Sequence, residues 1–220
     1  MLRKRDFAGA VLVLSIAVLF VWLGFWQLRR LTERRARNAD IAAARALPPF
    51  ELPLRHVEPD ALRDRRATAR GAYDYTQERA WRGRTYQGTP GVALLTPLRL
   101  SDGSAVFVDR GWVPSPDAYH VNEPLYREGD SVAISGLALV APRDRGDVDP
   151  ARLRDSLPYP VLPIVIQLDD TAAAHPKGLV RWRTPPLDNG PHLSYAIQWF
   201  SFATIAVIGT IALLRQQARA

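Results

Sequence analysis

AGAVLVLSIAVLFVWLGFWQL (residues 8–28) and LSYAIQWFSFATIAVIGTIALL (residues 193–214) decide how this chain is built. Neither stretch contains an Asp, Glu, Lys or Arg. At about 1.5 Å of rise per residue, the 21 residues of the first make a helix of roughly 31 Å, matching a bilayer core of about 30 Å. The remaining 177 of 220 residues hold all 51 acidic and basic side chains, so the mean hydropathy of −0.12 averages two kinds of sequence. That pattern excludes a simple cytosolic enzyme and a transporter with many spans. It leaves room for one compact domain between the two runs.

Arg3, Lys4 and Arg5 before the first run resemble the start of a signal peptide. The apolar run is too long for one, however, and no A-x-A-like cleavage site follows it. Gln27-Leu28-Arg29-Arg30-Leu31 continues a helical pattern instead, so 8–28 reads as an uncleaved anchor. Two spans place both termini on one side and residues 29–192 on the other. The six arginines between Arg29 and Arg45 outnumber the three basic residues at the head, and the positive-inside rule is weak for long translocated domains, so charge leaves the orientation open.

Trp22 and Trp26 sit near the end of the first run, and Tyr195 and Trp199 near the start of the second, where aromatic side chains anchor helices at headgroup level. Small residues recur at heptad spacing: Ala10, Ala17 and Gly24, then Ala196, Ala203 and Thr210. In an antiparallel hairpin, pairing Gly24 with Ala196 also pairs Ala17 with Ala203 and Ala10 with Thr210. Small residues let membrane helices approach closely, so this register predicts a seam.

Between the runs, residues 29–46 read as a helical extension of the first span, stopped by Pro48-Pro49. Strands are expected at Arg66–Tyr75, Arg79–Tyr86, Val92–Leu100, Ala105–Val113, Ser131–Val140 and Pro163–Leu168. Ser101-Asp102-Gly103 and Gly88-Thr89-Pro90-Gly91 are expected turns. The fold class is two transmembrane α-helices in an antiparallel hairpin flanking a β-rich, antiparallel barrel- or sandwich-like domain.

With 27 of the 29 basic residues Arg and 22 acidic residues interspersed, the charge of +7 forms no nucleic-acid-binding arm, and no nucleic acid is expected as a partner. Absence of cysteine excludes disulfides, thiolate metal sites and thiol nucleophiles. There is no phosphate-binding glycine loop, no G-x-S-x-G and no H-E-x-x-H, hence no catalytic residue to name. Asp169-Asp170 reads as a strand end, Asp74 and Glu78 as surface charges bracketing a turn, and Arg145-Gly146-Asp147 as a chance tripeptide. His56, His120 and His175 read as surface or structural residues. His192 differs: it shares a helical face with Tyr195, Ala196 and Trp199 at the start of the second span. It is either a metal or haem ligand, or a hydrogen-bonding partner for backbone or headgroups.

Five blocks resemble, in order, the signatures of Surf1-like cytochrome c oxidase assembly proteins. They are Leu23-Gly24-Phe25-Trp26-Gln27-Leu28-Arg29-Arg30, Gly71-Ala72-Tyr73-Asp74, GVALLTPLRL at 91–100, Asp102-Gly103 followed by Val108-Asp109-Arg110-Gly111-Trp112-Val113-Pro114, and Pro191-His192 through Trp199-Phe200. Thr32-Glu33-Arg34 stands where the family often has Trp-Lys, Asn189-Gly190-Pro191 replaces the Asn that commonly precedes the His, and about 140–180 matches poorly.

The resemblance implies an assembly factor for haem-copper cytochrome c oxidase and not an enzyme. Such a protein assists haem a insertion or maturation of the largest oxidase subunit. The implied partners are oxidase subunit I, haem a synthase and the lipid bilayer. It implies a bacterial inner-membrane protein with residues 1–7 and 215–220 cytoplasmic, spans at 8–28 and 193–214, and residues 29–192 periplasmic; the short Met1–Asp6 head favours a bacterium over a mitochondrial member. Haem a is the implied, transient cofactor. His192 is its candidate ligand, Trp22, Trp26, Tyr195 and Trp199 an aromatic groove, and Arg110 a partner for a propionate, unless Arg110 pairs structurally with Asp109 or Asp74. A haem-independent scaffold for oxidase subunits and a membrane-anchored enzyme of another type are the alternatives.

Overall fold

A computed structural model describes residues 4–54, 58–140, 156–169 and 176–219. His56, His175, Asp170 and Arg145-Gly146-Asp147 lie outside the described residues. The chain divides into two compact units, Met1–Asp40 with Leu187–Ala220, and Ile41–Pro186.

The first unit is built on two long helices. Helix α1 runs without interruption over Lys4–Ala46, and Pro48-Pro49 follows its end because proline cannot continue the ladder. A later helix, labelled α3, covers His192–Arg219. Both are long and apolar enough to cross a membrane. Five of the six small residues of the expected seam, Ala17, Gly24, Ala196, Ala203 and Thr210, are buried and Ala10 is half-buried, while Val18, Trp22, Phe25, Ile205 and Ile208 are exposed. The heptad continues to Leu31, also buried. A Cβ on Gly24 would lie 2.5 Å from Cε1 of Phe200, so only glycine admits that ring. Ala17 and Ala203 line a shared apolar groove of about 450 Å³ with Leu14, Val18, Val21, Thr204, Val207 and Ile208.

The second unit is a sheet of seven strands: β1 (Phe50–Leu52), β2 (Arg66–Tyr73), β3 (Arg79–Tyr86), β4 (Thr89–Arg99), β5 (Ala105–Pro114), β6 (Ser131–Val140) and β7 (Val161–Leu168). A one-turn helix, α2 (Pro59–Leu62), precedes β2. The order is β1-β2-β6-β7-β5-β4-β3, and a further pairing of β2 with β4 (Ala72 with Arg99, Tyr73 with Leu98) closes five strands into a barrel. Strands β6-β2-β4-β5 form a Greek key. The expectation of an all-antiparallel domain is corrected here. Alternating directions cannot close around an odd number of strands, so one pair in the ring of five must be parallel, and it is β5 with β7. The three-residue β1, missed in the sequence beside Pro48-Pro49, adds a second parallel pair against β2.

The expected turn at 88–91 is tighter than four residues. Gln87 (φ 49°) and Gly88 (φ 80°) alone link Tyr86 to Thr89, the double left-handed conformation of a type I′ hairpin, so Thr89 and Pro90 join β4. Strands β5 and β7 are buried on both faces. Val106, Val108, Ile164 and Ile166 belong to the main core with Leu98 and Ala138, while Phe107 and Val165 pack outward against Leu95, Leu157 and Tyr159.

Candidate functional site

Within the first unit, the approach to α3 is a turn tied to α1. The Asp188 carboxylate accepts from the Gly190 N–H, and Gly190 takes a left-handed φ of 67°. Arg34 Nε donates to the Asp188 carbonyl at 3.2 Å, and Asn38 Nδ2 donates to the same oxygen at 2.9 Å and to Asn189 Oδ1 at 3.3 Å. Pro191 O then accepts from Tyr195 N–H at 3.1 Å, opening the helix.

His192, the first residue of α3, is half-buried, with Nδ1 2.9 Å from Oε1 of Gln27. A protonated Nδ1 donates to that carbonyl oxygen and leaves the Nε2 lone pair available, which is how a histidine is prepared as a metal ligand. A side chain on Gly190 would place its Cβ 3.5 Å from Nε2, so glycine keeps that edge uncovered. His192 lines a cleft of about 260 Å³ with Arg30, Glu33, Arg34, Arg37, Asp188 and Gly190. His192 is the one residue of this cleft that would offer a nitrogen to haem iron. Among the described residues no group of three His, Asp or Glu is placed to hold a metal ion by itself.

The predicted aromatic groove is rearranged. Trp199 is half-buried and packs on Phe20, with ring centroids 5.5 Å apart, and on Phe202 at 6.0 Å. Trp22 and Trp26 are two residues either side of the buried Gly24, on the opposite, exposed face of α1. Trp26 lies 6.0 Å from the Arg30 guanidinium. Tyr195 is exposed. Among the described residues no ring contact joins Trp22, Trp26 or Tyr195 to Trp199. Sequence reasoning missed Phe20 and Gln27. Their signal was a second heptad, Phe20-Gln27-Arg34, beside the seam and facing His192-Trp199.

Arg110 lies in the second unit and is fully buried. It is the extra residue of a β-bulge, since Leu95 faces Asp109 and Leu94 faces Gly111. Its Nη2 pairs with Glu78 Oε2 at 2.6 Å, its Nη1 with Glu128 Oε1 at 3.1 Å, and its Nε donates to Thr96 Oγ1 at 2.7 Å. Nη1 also donates to the Tyr126 carbonyl. Arg181 completes the network, pairing with Glu128 Oε2 at 2.7 Å and donating to the Arg110 carbonyl. The structural partners are thus Glu78 and Glu128, not Asp109 or Asp74, and with all three nitrogens engaged Arg110 is not arranged to receive a propionate. Glu78, read in the sequence as a surface charge, is buried. Asp74 instead caps the turn at Thr76 and accepts from Tyr159 Oη at 2.9 Å.

The rest of that sequence block is also architectural. Asp109 accepts from Gly111 N–H at 3.0 Å and Trp182 Nε1 at 3.2 Å, and its burial pushes its carboxyl up to about 6. Gly111 has a φ of 124°, and a Cβ there would meet the Val180 carbonyl at 2.4 Å. Trp112 is buried, and its indole packs where a side chain on Gly91 would stand.

Comparison with known proteins adds an independent line. The SURF1 family matches over residues 14–204. An uncharacterised SURF1-like protein of Mycobacterium tuberculosis is 30% identical over 233 residues, covering 95% of this chain and 83% of that protein. A SURF1-like protein of Monosiga brevicollis is 25% identical, covering 93% of this chain and 87% of that protein. A cytochrome oxidase assembly protein of Saccharomyces cerevisiae, SHY1, is 25% identical over 161 residues, covering 68% of this chain and 41% of that protein.

Proposed function

This chain belongs to the SURF1 family, and on that premise we propose that it is a membrane-embedded assembly factor for haem-copper cytochrome c oxidase that holds haem a at the mouth of its helix hairpin. The yeast relative's role in cytochrome oxidase assembly supports the first half of the statement. The observation that carries the second is the His192–Gln27 pair. It joins two sequence blocks at opposite ends of the chain and presents one imidazole nitrogen to a cleft. Haem a, when bound, would supply an iron that accepts one such nitrogen. Gln27 holds the His192 ring and its tautomer, Gly190 leaves Nε2 accessible, and Trp199 with Phe20 offers apolar surface for a porphyrin edge or tail. Tyr195 and Trp26 stand at the same end of the helices and serve as interface anchors. The client is oxidase subunit I and the donor haem a synthase. The protein sits in a bacterial inner membrane with α1 and α3 spanning it, both termini in the cytoplasm and the barrel in the periplasm.

Co-expression with haem a synthesis, purification and an absorption spectrum test this reading. Wild type is expected to carry haem a and His192→Ala to lose it; Gln27→Ala, which frees the ring, is expected to retain less than wild type. Haem content unchanged by His192→Ala rejects the ligand role and favours the haem-independent scaffold. A periplasm-active reporter fused at Ala220 is expected to be silent, and an active one overturns the topology.

A further inference from the structure

The cleft at the hairpin mouth has more positive charge than a histidine ligand requires. Arg30, Arg34 and Arg37 line it from α1 at steps of four and three residues, so they share a face and rise about 10 Å along the helix at 1.5 Å per residue. The acidic groups of the cleft are already engaged. Glu33 pairs with Arg30 at 3.2 Å, and the Asp188 carboxylate is turned to the Gly190 N–H. Arg34 uses Nε on the Asp188 carbonyl, and among the described residues its two Nη groups have no partner. Arg37 is exposed and has none either. The cleft also includes His192, at the amino end of a 28-residue helix, whose dipole adds partial positive charge.

Position selects the kind of anion. Arg30 comes two residues after the charge-free run ends at Leu28, and the exposed Trp26, with the Arg30 guanidinium 6.0 Å from its ring, marks the level at which aromatic side chains meet headgroups. Guanidinium forks match phosphate oxygens in geometry as well as charge. We propose that this cleft binds the phosphate of an anionic phospholipid, with Arg34 and Arg37 as the main ligands and Arg30 at the lower rim. The inference does not depend on haem binding, because its ligands are the three arginines and its readout needs no haem.

The test uses the full chain in detergent micelles, free of haem. Binding of short-chain phosphatidylglycerol, phosphatidylcholine and inorganic phosphate is measured by native mass spectrometry and calorimetry. Wild type is expected to take up phosphatidylglycerol at one saturable site, at least tenfold more tightly than phosphatidylcholine. Arg30→Gln/Arg34→Gln/Arg37→Gln is expected to weaken that binding at least tenfold. Arg29→Gln/Arg35→Gln removes two exposed arginines that do not line the cleft and is expected to change it less than threefold. Equal losses in the two variants would mean diffuse charge attraction and overturn the site. Equal affinity for the two lipids would overturn the anion selectivity, and inorganic phosphate competing at the concentration of the lipid would overturn the lipid as occupant. A triple variant that loses haem a on co-expression while keeping wild-type lipid binding would assign the arginines to the haem carboxylates instead. Should the triple variant fail to fold, Arg37→Gln alone, at an exposed position without a partner, is expected to weaken lipid binding at least threefold, and no change there rejects the proposal.

Discussion

The hairpin and the barrel treat charge in opposite ways. Along the hairpin, buried positions hold Ala17, Gly24, Ala196, Ala203 and Thr210, and no charged residue falls within 8–28 or 193–214. The barrel unit carries Arg110, Arg181, Glu78 and Asp109 in its interior. Surroundings explain the contrast. Helices that pack in lipid gain nothing from hiding apolar surface, so close approach through small residues provides the adhesion. A barrel surrounded by water gains from every apolar residue it covers, and that gain can carry a charged network as long as each charge is matched. Arg110 and Arg181 against Glu78 and Glu128 meet that condition. Among the described residues, the hairpin thus keeps its unpaired charge at its end, in Arg34 and Arg37, whereas the barrel's charged residues are structural.

The sharpest way to break this contrast is to remove Arg110. Arg110→Met strands Glu78 in the interior and leaves Glu128 to Arg181 alone, and losing one partner of a buried ion network costs about 3–5 kcal/mol. Chemical denaturation followed by tryptophan fluorescence should show it. The hairpin should be untouched, and because the chain has no cysteine, oxidative cross-linking of Ala17→Cys with Ala203→Cys reports on it directly. Loss of the cross-link in the Arg110→Met background would show that the two regions are not independent.

A second test concerns Asp109. Its folded pKa of about 6 lies above the roughly 3.9 of an unfolded Asp, so the folded state binds the proton more tightly. The resulting stabilisation is complete below about pH 4 and is lost as pH rises to about 6. Asp109→Asn, which imitates the protonated acid beside Trp182, should gain on wild type by up to about 3 kcal/mol between pH 4 and pH 7, at about 1.4 kcal/mol per unit. Denaturation midpoints with a constant difference across that range would contradict a titrating buried acid.

Smaller effects belong to the seam. Gly24→Leu drives a side chain into the Phe200 ring and should cost about 1–3 kcal/mol by overpacking, seen as a weaker 17–203 cross-link. Thr210→Val should change little, within about 0.5 kcal/mol, because its hydroxyl bonds the Ala206 carbonyl of its own helix at 2.8 Å and the seam uses only its size. A large effect there would mean that a polar contact, not close packing, holds the helices.

Much of the fold was legible because its signals are local. Strands such as β3 and β6 coincide with their expected ranges, since period-two alternation and turn residues act over a few positions. The missed features are those that closure decides. The parallel β5–β7 pair follows from five strands in a ring, and Glu78 is buried because β4 and β5 bring Thr96 and Arg110 to it. His192 was legible as a candidate, but its orienting partner Gln27 was visible only as part of a signature. The groove of Trp22, Trp26, Tyr195 and Trp199 grouped residues by depth and ignored the 100° between successive helix positions, which puts Phe20 against Trp199 and turns Trp22 away.

By itself the sequence determined the two apolar helices, the small residues on their buried faces and the strand-and-turn rhythm between them, because hydrophobic period and turn chemistry are written within a few residues. Only the tertiary structure decided which polar groups meet. Arg110 finds Glu78 across 32 residues, and His192 finds Gln27 across 165. Pairings at such separations depend on how the barrel closes and how the hairpin folds back, and no local pattern encodes either.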